Sequence, residues 1–312
     1  MDTVHLSEME YGLKVCKALP ERKGIHLSNE QGMGKTLLSI RSHLNGLTKT
    51  EQKVAKFILD NSQDIIYHSV TELAERADVG ETTVLRFCRK LKFQGFQDFK
   101  LSLAQDLVKP SDRLYNEVTE EDDASTVKQK VVSMHISSLE QTSELVNHEQ
   151  LEKAISVLHD AECIHFFGVG SSGLTALQAA HSFSRIGKRT MARSDTHFQA
   201  MAASLMGPNE VAVGISISGS TKDTIDNLSL AKKAGAKIVV ITSNARSPIT
   251  KIADIVLLMV ARENPLQGSS LSAKVSQLVL IDILNVGVTF KMKEDALKVR
   301  EVTAKAITDK LY

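Results

Sequence analysis

The sequence predicts an α + α/β protein: an all-helical N-terminal domain joined to a C-terminal domain in which helices cover both faces of a parallel sheet. Three observations predict it. Up to about Asp106 the apolar residues recur at three- and four-residue spacing, and Pro110 closes that block. From Cys163 onward, short and nearly continuous apolar runs alternate with helical patterns, as in strands buried on both faces of a sheet. Between the two lies a polar, acidic stretch, Ser111 to Asp123, ending in Asn116-Glu-Val-Thr-Glu-Glu-Asp-Asp123. A chain of 312 residues has room for about two such domains.

Met1 to Gly32 has weak periodicity, interrupted at Pro20 and Gly24, so residues 1–32 are expected to be a weakly ordered extension. Met33-Gly-Lys-Thr would serve as a translation start, because an amphipathic pattern (Leu37, Leu38, Ile40, Leu44) begins directly after it. Leu47 opens a strongly helical region, where Thr48 or Thr50 can cap a helix carrying Val54, Phe57 and Ile58. Residues 33–110 form the helical domain, and 111–150 the linker and a connecting helix. Helical periodicity returns from Ser125 through Leu158.

Residues 151–290 carry the expected strands: Cys163 to Phe167, Arg189 to Ala192, Val211 to Ile217, Ile238 to Thr242 and Ile255 to Met259. Gly187 and Gly235 stand where intervening helices should stop in left-handed caps. The helix from Val275 to Val286 supplies apolar packing and part of a dimer face, and 291–312 is a charged terminal helix.

Net charge of +1 leaves no global basic field, so any nucleic-acid binding must come from a local patch. Cys16, Cys88 and Cys163 are far apart and have no metal-ligand spacing, which predicts a reducing compartment and no metal site. With no signal-peptide pattern and no run of ~20 uninterrupted apolar residues, a cytoplasmic protein without a membrane partner is expected.

The local patch is found between Ser69 and Lys100. Val70, Leu73, Ala74 and Ala77 make one short amphipathic helix, Asp78-Val-Gly80 a turn, and Val84, Phe87, Cys88 and Leu91 the buried face of a second. Thr82, Thr83, Arg86 and Lys90 are expected together on the opposite face, where a recognition helix reaches base edges and phosphates, with Arg89 and Lys92 adding charge. Phe93, Phe96 and Phe99 could stack on bases, but their spacing suits one helix face and core packing. The run from Leu73-Ala-Glu-Arg-Ala-Asp-Val-Gly80 to Phe99-Lys100 resembles the helix-turn-helix of RpiR/MurR-type bacterial transcriptional regulators. It departs from that pattern at Gly80, where a capping Ser is usual, and at Lys92, where Gly is usual.

A strand running into Gly168-Val-Gly170-Ser171-Ser172-Gly173 and then a helix suits an anion, since backbone N–H groups and hydroxyls meet at a positive helix terminus. No acidic residue lies in Arg189-Thr-Met-Ala-Arg193, which argues against a dinucleotide. A second loop, Ser216-Ile-Ser218-Gly-Ser220-Thr221, also follows an apolar strand, so the two loops together make a site for a small phosphorylated ligand. Gly32-Met-Gly-Lys-Thr36 lacks the earlier Gly of a nucleotide-binding P-loop, because Asn29 occupies that place. No cofactor is expected.

The paired loops resemble a sugar isomerase (SIS) domain over about Leu151 to Phe290. The resemblance implies that Gly170, Ser171, Ser172, Ser216, Ser218, Ser220, Thr221, Ser269 and Ser270 hold a sugar phosphate. Glu263 and His197 are the groups that could act as base and acid in an isomerase, or serve as ligand partners or solvated loop residues. The pairing of both domains implies sensing rather than turnover. The expectation is a repressor of carbohydrate or amino-sugar genes, a homo-oligomer (dimer or tetramer) on a palindromic double-stranded DNA operator, released by a sugar phosphate. A sugar phosphate isomerase is the alternative.

Overall fold

The computed structural model describes residues 34–107, 118–261, 266 and 271–308. The expected extension and the Met33 start lie outside them, as do Pro110 and most of the acidic linker. Gly34–Tyr312 is one compact unit.

The helical part comprises α1 (Lys35–His43), α2 (Lys49–Asp60), α3 (Ser62–Ile65), α4 (Val70–Arg76), α5 (Glu81–Lys90) and α6 (Phe96–Leu107). Thr48, not Thr50, caps α2. Its hydroxyl accepts from the Glu51 amide while the Glu51 carboxylate accepts from the Thr48 amide, a reciprocal capping box. That carboxylate sits below the usual range, chiefly because it accepts the Thr48 N–H. Ser69 caps α4, its hydroxyl accepting from the Glu72 amide at 3.0 Å. Val54, Ile58, Leu73, Val84, Phe87, Cys88, Phe99 and Leu103 are fully buried where these helices meet. Phe99 lies 5.9 Å from Phe87, 5.4 Å from Phe93 and 6.4 Å from Phe96, so the three spaced phenylalanines pack with the core.

The stretch expected to be helical from Ser125 to Leu158 is two helices, α7 (Ala124–Leu145) and α8 (His148–Asp160). Asn147 breaks it: its side chain accepts from the Gln150 amide and starts a new helix.

The sheet has strands β1 (Cys163–Phe167), β2 (Thr190–Ala192), β3 (Glu210–Ile215), β4 (Lys237–Thr242) and β5 (Ile255–Leu258) in the order β2-β1-β3-β4-β5, every pairing parallel. Between them lie α9 (Ser171–Ser184), α10 (Thr196–Ser204) and α11 (Lys222–Lys233), followed by α12 (Leu271–Met292) and α13 (Glu294–Thr308).

Strand alternation sorts the layers. Ile164, Phe166, Val211, Val213, Ile215, Val239 and Ile241 join Leu158 of α8, Phe183 of α9 and Leu280 and Leu284 of α12 on one face. Phe167, Ala212, Ile238 and Val240 join Ala203 of α10 and Leu228 and Ala231 of α11 on the other. The helices α9 and α11 end in Gly187 and Gly235 at φ +88° and +100°, the left-handed caps the sequence predicts. By length and mean hydropathy, α12 could cross a membrane, yet its Leu280, Ile281, Leu284 and Val288 are core residues of this domain.

Candidate functional site

The turn before α5 uses Asp78 at φ +53°, and Gly80 stands at the helix N-cap with extended backbone and no side chain to cap it. Thr82, Arg86, Arg89 and Lys90 are exposed. Thr83 is not: it is 8% exposed and shares a stripe with fully buried Phe87. The structure therefore separates Thr83 from the other four. The physical reason is helical pitch, since neighbours are offset by about 100° and Thr82 and Thr83 cannot share a narrow face. Lys90 reaches back to Glu51, Nζ to Oε2 3.1 Å, which ties its charge to the capping box of α2. Arg86 and Arg89, with Thr82, remain the outward-facing set.

In the sheet domain, strand order reverses between β1 and β3. The chain leaves β1 toward β2 on one side and leaves β3 toward β4 on the other, which opens a crevice at the carboxyl ends where ligands settle in folds of this kind. The two Ser/Gly loops are the segments that leave these strands, and Phe167 and Gly214 are register partners, so they depart side by side.

The first loop turns at Gly170, φ +58° and ψ −128°, a conformation open to glycine alone, and α9 begins at the next residue. Gly168 permits a close approach, because a Cβ there would lie 2.8 Å from the Ser172 carbonyl oxygen. Ser171 is half-buried and Ser172 buried, its hydroxyl accepting from Gln277 Nε2 at 3.1 Å. In the second loop Ser216 is buried, its Oγ 3.0 Å from Thr221 Oγ1, while Ser218, Ser220 and Thr221 are half-buried. The Ser218 hydroxyl accepts from the Ser220 amide at 3.2 Å, which folds the loop into a tight bend. Helix α11 then begins, so hydroxyls and the starts of two helices lie at one edge of the sheet, an arrangement that suits a phosphate ester. Glu263, Ser269 and Ser270 lie outside the described residues. His197, near the start of α10, is exposed.

Buried amides that the sequence reading missed hold these loops. Gln199 Nε2 donates to the Gly168 carbonyl at 2.9 Å and to the Arg193 carbonyl at 2.6 Å, and its Oε1 accepts from Asn227 Nδ2 at 3.1 Å. Gln277, fully buried on α12, links Thr175 to Ser172. Their only sequence signal is a polar residue on an otherwise apolar helix face, which reads equally as a solvated position.

Comparison with known proteins agrees with both halves. Residues 34–110 match the family model of the rpiR-family helix-turn-helix domain, and residues 157–287 match that of the SIS domain. An HTH-type transcriptional regulator of Caldanaerobacter subterraneus subsp. tengcongensis is 36% identical over 276 residues, 88% of this chain and 98% of that one. Another, of Haemophilus influenzae, is 38% identical over 255 residues, 80% of this chain and 88% of that one. Among solved structures, the Vibrio vulnificus NanR protein complexed with ManNAc-6P superposes with a TM-score of 0.80 at 28% identity, covering 89% of this chain and 99% of that one. With a helix-turn-helix in residues 34–110, a SIS domain in residues 157–287 and a transcriptional regulator 36% identical along 98% of its length, the chain belongs to the RpiR family of helix-turn-helix transcriptional regulators with a SIS domain.

Proposed function

We propose that this chain is a cytoplasmic, non-enzymatic repressor that binds a palindromic operator as a dimer or tetramer and releases it when a sugar phosphate enters the crevice between β1 and β3. In this reading residues 33–110 hold DNA, 151–290 hold the ligand, 111–150 join them, 291–312 close the fold and 1–32 extend it. Thr82, Arg86 and Arg89 meet bases and phosphates. Thr83 and Lys90 take part through the packing of α5, and Ser171, Ser218, Ser220 and Thr221 contact the phosphate ester between the walls formed by Gly170, Ser172 and Ser216. Glu263, Ser269 and Ser270 complete the ligand set.

The observation that carries the reading is the position of the two hydroxyl-bearing loops at the switch point of the strand order, in a chain that also holds the helix-turn-helix. The ManNAc-6P bound by the Vibrio vulnificus relative supports an amino-sugar 6-phosphate.

The test is binding of the full chain to DNA from its own upstream region, at stated salt, with and without N-acetylmannosamine 6-phosphate and other hexose and amino-sugar 6-phosphates. Specific binding that one of them weakens at least about fivefold is expected, a coupling in the ordinary allosteric range. Operator affinity unchanged across the panel refutes the reading, and turnover of a sugar phosphate replaces it with an isomerase.

A further inference from the structure

Residues 243–251 follow β4 and touch both the crevice and the helix-turn-helix. Toward the crevice, the Ser243 amide and hydroxyl donate to the Ile217 carbonyl at 3.0 and 2.8 Å, and Asn244 Nδ2 donates to the Ser218 carbonyl at 3.2 Å. The Ile249 amide donates to the Gly219 carbonyl at 3.0 Å, and the fully buried Ser247 packs against Gly219. Toward the helices, the Ser69 hydroxyl at the cap of α4 donates to the Arg246 carbonyl. Arg246 Nη1 lies 3.1 Å from Glu75 Oε2 on α4, and Lys251 Nζ lies 2.7 Å from Glu81 Oε1, the first residue of α5. Glu81 is also held by the Thr71 hydroxyl of α4. One short segment thus shares hydrogen bonds with the Ser218–Gly219 bend and grips the starts of both helices of the motif.

A recognition helix meets base edges with its N-terminal residues. While Lys251 holds Glu81, the first residue of α5 is tied to the sheet domain with Thr82 beside it exposed, so this pair fixes how the recognition helix is presented to a major groove. The ion pairs are exposed, and exposed pairs are individually weak, so the docking is reversible.

We propose that residues 243–251 are a clasp through which occupancy of the Ser216–Thr221 loop reaches the recognition helix: a phosphate ester on that loop favours the docked arrangement, and DNA favours the undocked one. The proposal rests on the functional reading above and names its regulation. Because ligand and DNA draw on the same equilibrium, their coupling runs through Arg246 and Lys251.

The test uses the full chain and the double variant R246A/K251A. Both side chains are more than half exposed and lie outside the two loops and the outward face of α5, so folding and ligand binding are expected to persist. The first measurement is amide hydrogen exchange with no DNA or sugar present. Exchange across 69–76 and 81–88 is expected to be about fivefold or more faster in the variant, and unchanged exchange overturns the clasp. The second is operator affinity with and without N-acetylmannosamine 6-phosphate. The variant is expected to bind operator at least as tightly as the native chain and to lose less than about twofold on adding a sugar phosphate it still binds by thermal shift, while R246K/K251R keeps the native response. A variant that retains the full native response overturns the proposal. A native chain that binds neither DNA nor sugar phosphate defeats the regulator reading instead, and the exchange measurement still decides the clasp.

Discussion

Replacing Gly219 with Ala strikes the junction of crevice and clasp, and its cost can be worked out from the geometry. Gly219 has φ +63°, and a left-handed conformation costs an L-residue roughly 1–2 kcal/mol. A Cβ there would lie 2.6 Å from Ser247 Cβ and 3.1 Å from Ile249 Cγ2. Neither neighbour can step aside, because both are fully buried, the Ser247 hydroxyl donates to the Asn244 carbonyl at 2.9 Å, and the Ile249 amide donates to Gly219 itself. Overpacking of this kind adds about 1–3 kcal/mol. The sum, roughly 2–5 kcal/mol, is a large part of the 5–15 kcal/mol typical of a folded domain. Urea unfolding followed by circular dichroism measures it through the midpoint at constant slope. Combining G219A with S247G removes the overlap with Ser247 but leaves the approach to Ile249 and the backbone strain, so the pair should be less destabilised than the sum of the single variants by about 1 kcal/mol or more. A G219A chain within about 0.5 kcal/mol of native, below any of these terms, would refute the reasoning.

Lys92 holds φ +70° just after the recognition helix, a left-handed conformation that favours glycine. K92G should raise stability by about 0.5–1 kcal/mol in the same unfolding assay, relief of left-handed strain outweighing the added freedom of the unfolded chain; a loss of stability would count against it. Lys100 is buried, donates to the His68 carbonyl at 2.9 Å and lies over the Phe96 ring, and burial pushes its ammonium down to about 8. Between about pH 8 and the unfolded value near 10.5 the folded state binds fewer protons than the unfolded one, so this group makes stability rise with pH across that window and fall as pH drops through 8. The native chain should therefore gain on K100M by about 1 kcal/mol per pH unit above 8, and a stability difference flat from pH 7 to 10 would contradict the shift.

The sheet could be read from the sequence because its strands are nearly unbroken apolar runs, and the helix stops because glycine is needed at φ +88° and +100°. The loops at the ends of β1 and β3 were visible for the same reason, each being a cluster of Gly and Ser directly after such a run. What escaped depends on distance or on phase. The break at Asn147 was hidden because a polar residue on the solvent side of an amphipathic pattern looks the same whether it caps a helix or continues it. Thr83 was assigned to the wrong face because one residue's offset turns a side chain by about 100°. The Gln199 and Gln277 networks, and the pairs from Arg246 and Lys251 to Glu75 and Glu81, join residues with no local pattern to betray them.

The Glu81–Lys251 pair spans 170 residues of chain, and the chain is made from one end. Helices with local contacts fold quickly, whereas a sheet whose first strand lies between its second and third must wait for the third. Domains generally fold in order of synthesis at ~5–20 residues per second, so the recognition helix exists for on the order of 10–30 s before Lys251 has been made. For that interval α5 exists without its partner at Lys251, so the Glu81–Lys251 restraint is among the last features of the helical part to form.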